Sequence, residues 1–191
     1  PLGYTIAGET YGGIEGKQLP PKEFYRLLRE GNVCHTFQVT AEQAKPSVEA
    51  SFKAGRDVVI VTFSSALSGT ASSFTIAANE LMEKYPARKT FIVDSLGGSL
   101  GEGMLLEYLV KKADAGASIE EVYAYGDWLR HRIAYLFTVD DLDCLRRGGR
   151  ISGAVAVVGK LLKIKPLLHA NPKGLLMPIA KIVGRKRSLE A

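Results

Sequence analysis

The sequence predicts an α/β chain in two parts: a parallel-sheet domain over residues 1–132 and a smaller, incomplete α+β domain over residues 133–191. Two observations predict the first part. The β-branched runs "DVVIVTF" and "KTFIVD" read as strands buried on both faces, and each leads through a loop into a helical pattern. That β-loop-α rhythm is the signature of a doubly wound sheet. A third observation predicts the second part: after His131 the alternation gives way to a short strand, a short helix and a hairpin pattern.

Taken in order, "PLGYTIAGETY" is strand-like with glycine punctuation. "PKEFYRLLREG" is an amphipathic helix with Pro21 in its first turn and Gly31 at its end. An extended piece around "TFQVT" follows, and then Thr40 and Gln43 form a capping box for a helix running to Gly55. "SGTASSFTIAANELMEKYP" is a helix with Phe74, Ala77, Ala78 and Leu81 on one face. "SLGGSLGEG" reads as the exit loop of the second buried strand. "MLLEYLVKKADAG" and "SIEEVYAYGDWLRHR" are helices, the latter opened by a Ser118–Glu121 capping box. Beyond it come a strand at "IAYLFTV", a helix at "DDLDCLRRGGR", a small-residue helix at "GAVAVVGKLL" and two strands joined by a turn from Asn171 to Gly174. The opening reads as a strand entered midway and "RKRSLEA" as the start of a helix, so the sequence reads as part of a longer protein.

Composition excludes several classes. Of 191 residues 46% are hydrophobic and 24% charged, ordinary for a globular chain able to bury a core. There is no run of 18 apolar residues and no basic-then-apolar leader. Cys34 and Cys144 stand in no metal or redox spacing, so a reduced, cytoplasmic setting is expected. A net charge of +5 without an aromatic-rich basic stripe does not support nucleic-acid binding. No metal and no cofactor are expected.

Three loops carry chemistry. "TFSSALSGTASSF" sets Ser64, Ser65, Ser68 and Thr70 between the carboxyl end of a strand and the amino end of a helix, where α/β sheets bind ligands and where backbone N–H groups favour anions. It lacks the first glycine of a nucleophile elbow and the lysine of a P-loop. The bland reading has Ser68 capping the helix while the other hydroxyls satisfy the loop. In "VDSLGGSLGEG", Asp94 and Ser95 are candidate ligands for a substrate or metal, and a structural role for the glycines is favoured. In "LRRGGRISG", Arg146, Arg147 and Arg150 suit an anion clamp or a solvated helix end.

Together "PLGYTI", "EFYRLLREG", "HTFQVTAEQ", "FSSALSGT", "VDSLGGSLGEG", "LDCLRRGGRIS", "LLKIKPLL" with Gly174, and "KIVGRKR" resemble, in order and over nearly the whole chain, the DegV family of bacterial fatty-acid-binding proteins. The resemblance implies a long-chain fatty acid in an apolar tunnel, its carboxylate held by Thr36 and Ser68 with Ser65 close by, in a domain spanning 1–132 whose first strand is missing. It implies Arg150 near the head group, facing a transferred phosphoryl group or a partner. It further implies no catalytic residue on this chain: a fatty-acid kinase subunit would phosphorylate the bound acid for phospholipid metabolism, and the chain would be a carrier, with peripheral or transient membrane contact compatible. Phe37 stands where the family has Ser, which removes a donor beside Thr36 and is expected to reshape the head-group pocket. The residues alone leave open a stand-alone enzyme or binding protein for a small phosphorylated or acyl substrate, and a structural module whose loops only cap helices.

Overall fold

The computed structural model describes residues 3–13, 16–140, 142–151 and 164–191. The small-residue helix expected over "GAVAVVGKLL" lies outside the described residues. The fold is mixed α/β with a parallel sheet and helices.

β-branched residues dominate β4 (Val58–Thr62), which pairs in parallel with β5 (Thr90–Asp94) in the register Val58↔Thr90 to Thr62↔Asp94. Alternate residues of β4 face opposite layers. Val58 and Ile60 pack on Val48, Phe52 and Leu81 from α2 (Ala41–Lys53) and α3 (Thr70–Lys84). Val59 and Val61 pack on Leu105, Leu109 and Val122 from α4 (Ser99–Asp114) and α5 (Ile119–Leu129). Helices therefore cover both faces, as expected. The strand itself is only half-buried up to Val61, because one edge carries no partner strand among the described residues. Both capping boxes are formed: Thr40 Oγ1 accepts from Gln43 N at 3.2 Å, and Ser118 Oγ accepts from Glu121 N at 3.3 Å.

The amino-terminal segment departs from the single strand expected. It folds as a hairpin of β1 (Gly3–Ile6) and β2 (Glu9–Gly12), and β1 also pairs antiparallel with β3 (His35–Phe37). The two turn residues, Ala7 and Gly8, have φ of 51° and 79°. Positive φ at both positions matches the strand twist of two-residue hairpins. Helix α1 (Pro21–Arg29) connects β2 to β3.

A second departure lies in "SLGGSLGEG": α4 begins at Ser99, so Gly101 and Gly103 are helical rather than loop residues. The glycines at 97 and 101 are required by close approach. A Cβ on Gly97 or Gly101 would stand 2.2 or 2.3 Å from the Tyr135 ring, whose hydroxyl donates to Ser95 O at 2.8 Å.

In the carboxyl-terminal part, β6 (Leu136–Thr138), β7 (Ile164–Ala170) and β8 (Leu176–Val183) form an antiparallel sheet in that order. The expected turn joins β7 and β8, with Asn171 N donating to Leu175 O and Gly174 N to Asn171 O. A short helix, α6 (Asp143–Arg147), and Ile151 pack on Leu168. The chain closes with α7 (Arg185–Glu190). Among the described residues no helix is long and apolar enough to cross a membrane.

Candidate functional site: an apolar cavity with a hydroxyl and arginine wall

A cavity of about 1250 Å³ opens along the free edge of β4. Its wall is mainly apolar, with Phe24, Leu28, Val39, Pro46, Ile60 and Phe74 from α1, α2, α3 and the strands between them. The polar part of the wall comes from chain segments far apart in sequence: Thr36 on β3, Ser68 and Thr70 where the loop after β4 meets α3, and Arg147 and Arg150 around the end of α6. An apolar concavity with a few convergent polar groups is the usual form of a small-molecule site.

The loop 63–69 is held on three sides. Ser64 is fully buried, and its Oγ donates to Gly174 O at 2.9 Å in the β7–β8 turn. Ser65 is tied to the end of β5: its Oγ donates to Asp94 Oδ2 at 2.5 Å and its N–H to Asp94 Oδ1 at 3.2 Å. Arg150 Nε donates to Leu67 O at 3.0 Å, which fixes the guanidinium beside the residue that precedes Ser68.

Inside that frame Ser68 is half-buried, and its Oγ accepts from Thr70 N at 3.3 Å and lies 3.0 Å from Thr70 Oγ1. Ser68 is therefore not the cap that the bland reading required: the N-cap of α3 is Gly69, with no side-chain cap hydrogen bond, and Ser68, one residue earlier, lines the cavity. Among the described residues the Thr36 hydroxyl makes no hydrogen bond. Hydroxyls, guanidinium groups and the amino end of α3 favour an anionic group in this mainly apolar cavity.

Thr36, Ser68 and Arg150 all line this one cavity. Ser65 does not: it stands outside the wall, its hydroxyl engaged by Asp94. Phe37 also falls outside. Strand alternation turns it away from Thr36, and its 42% exposed ring lies over Gly3, where a Cβ would be 2.0 Å from Phe37 Cε2. The expected reshaping of the pocket by Phe37 is absent. Of the arginines, Arg146 pairs with Asp143 at 3.2 Å and does not line the cavity. Asp94 serves loop amides, accepting also from Leu96 N at 3.0 Å, and the described residues hold no cluster of three or more metal-ligating groups.

Several wall residues were not singled out from sequence. Glu102 brings a carboxyl whose pKa burial raises above the ordinary value. Cys34 and Cys144 line the same space; burial, and then the neighbouring Cys144, pushes the Cys34 thiol up. Arg147 Nη2 donates to Cys144 Sγ at 3.3 Å. Thr62, the last residue of β4, is a fourth. The readable signal for Thr62 is a lone hydroxyl closing the aliphatic run "VVIV".

A family model described as "Uncharacterised protein, DegV family" matches residues 1–191. The chain belongs to the DegV family. It is 44% identical over 173 residues to a DegV domain-containing protein of Clostridium perfringens, a match over 91% of this chain and 60% of that relative. Among solved DegV structures, a Thermus thermophilus protein described by its fatty-acid binding superposes with a TM-score of 0.84 at 32% identity, covering 100% of this chain and 65% of that one. The Streptococcus pneumoniae fatty acid kinase B3 protein, loaded with linoleic acid, superposes with a TM-score of 0.84 at 25% identity, over 100% of this chain and 66% of that one. The chain spans about 60 to 67% of the length of the DegV relatives it matches.

Proposed function

We propose that this chain holds a long-chain fatty acid in the cavity and presents its carboxylate to a separate kinase partner for acyl-phosphate formation. The carboxylate lies against Thr36, Ser68 and Arg150, and the acyl chain runs along the apolar wall of Phe24, Leu28, Val39 and Phe74. The head-group loop belongs to a first domain over residues 1–132, and Arg150 reaches it from a second that begins at residue 133. Ser65 acts through Asp94 as a tie that fixes the loop.

One observation carries this reading: two hydroxyls and a guanidinium line a single cavity whose wall is mainly apolar. A buried carboxylate without donors would be strongly disfavoured, and this cavity supplies donors in its wall. The relatives that bind fatty acids give the class of ligand. The chain acts as a carrier and not as an enzyme. Its anion-binding loop, "SALSGT", has no lysine before Thr70 with which to cradle a nucleotide's phosphates. Arg150 is placed to meet negative charge as it develops on the head group.

The test is native mass spectrometry of the full-length protein purified from bacteria, followed by denaturing extraction. A stoichiometric fatty acid is the expected result. A protein that comes empty and takes up no added fatty acid would favour a small-substrate enzyme instead.

A further inference from the structure

Four buried side-chain polar atoms lack a hydrogen-bond partner among the described residues: Thr62 Oγ1, Thr90 Oγ1, Arg130 Nε and Thr138 Oγ1. Of these residues only Thr62 belongs to the cavity wall. Its neighbours at the same corner are satisfied: Ser64 Oγ donates to Gly174 O and Ser95 Oγ to Gly97 O. The Thr62 carbonyl is engaged too, accepting from Ser95 N at 3.0 Å. The side chain is 3% exposed and stands on the same strand face as Ile60, another wall residue, immediately before the loop that carries Ser68.

A stranded buried hydroxyl is unfavourable, and valine has the same shape without it. The four residues before Thr62 are Val, Val, Ile and Val, so an aliphatic side chain would suit the strand. We infer that the Thr62 hydroxyl is a third hydroxyl donor to the carboxylate, beside Thr36, Ser68 and the Arg150 guanidinium, and turns to the head group when a fatty acid fills the cavity. A χ1 step exchanges the hydroxyl and the methyl of a threonine between staggered positions without backbone movement, so the hydroxyl can be re-aimed. The protein itself leaves this donor unsatisfied among the described residues, and an anionic head group relieves it where an uncharged one relieves it less. This inference rests on the fatty-acid reading of the cavity and deepens it: the site selects for the carboxylate itself.

The experiment compares hexadecanoic acid with 1-hexadecanol, which share a chain length, as ligands of the full-length wild type, Thr62→Val and Thr62→Ser. Thr62→Val should weaken binding of the acid about tenfold, change binding of the alcohol less than twofold, and leave the empty protein melting at or above the wild-type temperature. Thr62→Ser should keep most of the acid affinity. If Thr62→Val binds the acid like wild type, or loses acid and alcohol equally, the third hydroxyl is refuted while the carrier reading stands. A wild type that binds neither ligand removes both.

Discussion

Gly174→Ala tests whether the β7–β8 turn is docked against the head-group loop. Gly174 has φ of 76°, and a Cβ there would stand 2.2 Å from Ser64 Oγ and 3.2 Å from Leu96 Cα. Alanine at positive φ costs about 1 kcal/mol. The hydroxyl of Ser64, fully buried and donating to Gly174 O at 2.9 Å, must then move off its acceptor. A buried donor left unsatisfied costs about 1–3 kcal/mol, so the sum is about 2–4 kcal/mol. At about 2–4 °C per kcal/mol for a chain of this size, the midpoint shifts down by roughly 6–12 °C for a 3 kcal/mol loss. The assay is thermal unfolding followed by circular dichroism, with Ser64→Ala and the double variant alongside. Removing Ser64 Oγ relieves the clash, so the double variant should be more stable than the sum of the two singles predicts. A Gly174→Ala shift below about 2 °C, or strict additivity, would refute the docking.

Three further outcomes are expected. Ser68→Ala weakens fatty-acid binding by about 1–3 kcal/mol in isothermal titration calorimetry, the loss of a donor to a charged acceptor; unchanged affinity removes Ser68 from the site. Ala7→Asn stabilises the β1–β2 hairpin by about 0.5–1 kcal/mol, because Asn tolerates the positive φ that Ala7 adopts, and a lower urea midpoint contradicts the turn geometry. Glu102 has its pKa raised above 4.5 by burial, so the folded chain holds this proton to higher pH than the unfolded chain does. Stability is then lost as pH rises from 4.5 through the folded value, and Glu102→Gln gains on wild type across that window. Urea midpoints at pH 4 and pH 7 that differ between the two proteins by the same amount rule this out.

What sequence made legible is local or periodic. The capping boxes at Thr40 and Ser118 involve residues three apart, and the two-sided burial of "VVIVT" follows from its unbroken apolar run. What stayed hidden depends on partners distant in sequence. Ala7–Gly8 carries a weaker hairpin signal than Asn-Gly, and the turn is fixed by the β1–β2 pairing around it. The need for glycine at 97 and 101 comes from the Tyr135 ring, more than thirty residues on. At the site, Ser68, Thr36 and Arg150 were legible as family positions. The engagement of Ser65 requires the β4–β5 register that brings Asp94 beside the loop. Phe37 read as a pocket residue because it neighbours Thr36 in sequence, yet neighbours on a strand face opposite ways.

The serine-rich loop divides its hydroxyls between two kinds of work. Ser64 and Ser65 bind the loop to the β7–β8 turn and to Asp94, and Ser73 accepts from Gln38 Nε2 at 3.2 Å, joining α3 to the segment after β3. Those ties hold the backbone so that Ser68 meets the cavity without further ordering when a ligand arrives. Arg150 belongs to both kinds: its Nε fixes Leu67 O, and the guanidinium stays in the cavity wall. Donors already in place lose little conformational freedom on binding, and that favours a head group that must be held still for a second protein to act on. On the carrier reading, a variant that cuts a tie, such as Ser65→Ala, should therefore slow phosphorylation of the bound acid by the proposed kinase partner more than it weakens binding. Ser68→Ala should weaken binding itself. Equal effects of the two substitutions on affinity would place Ser65 at the head group and collapse this division.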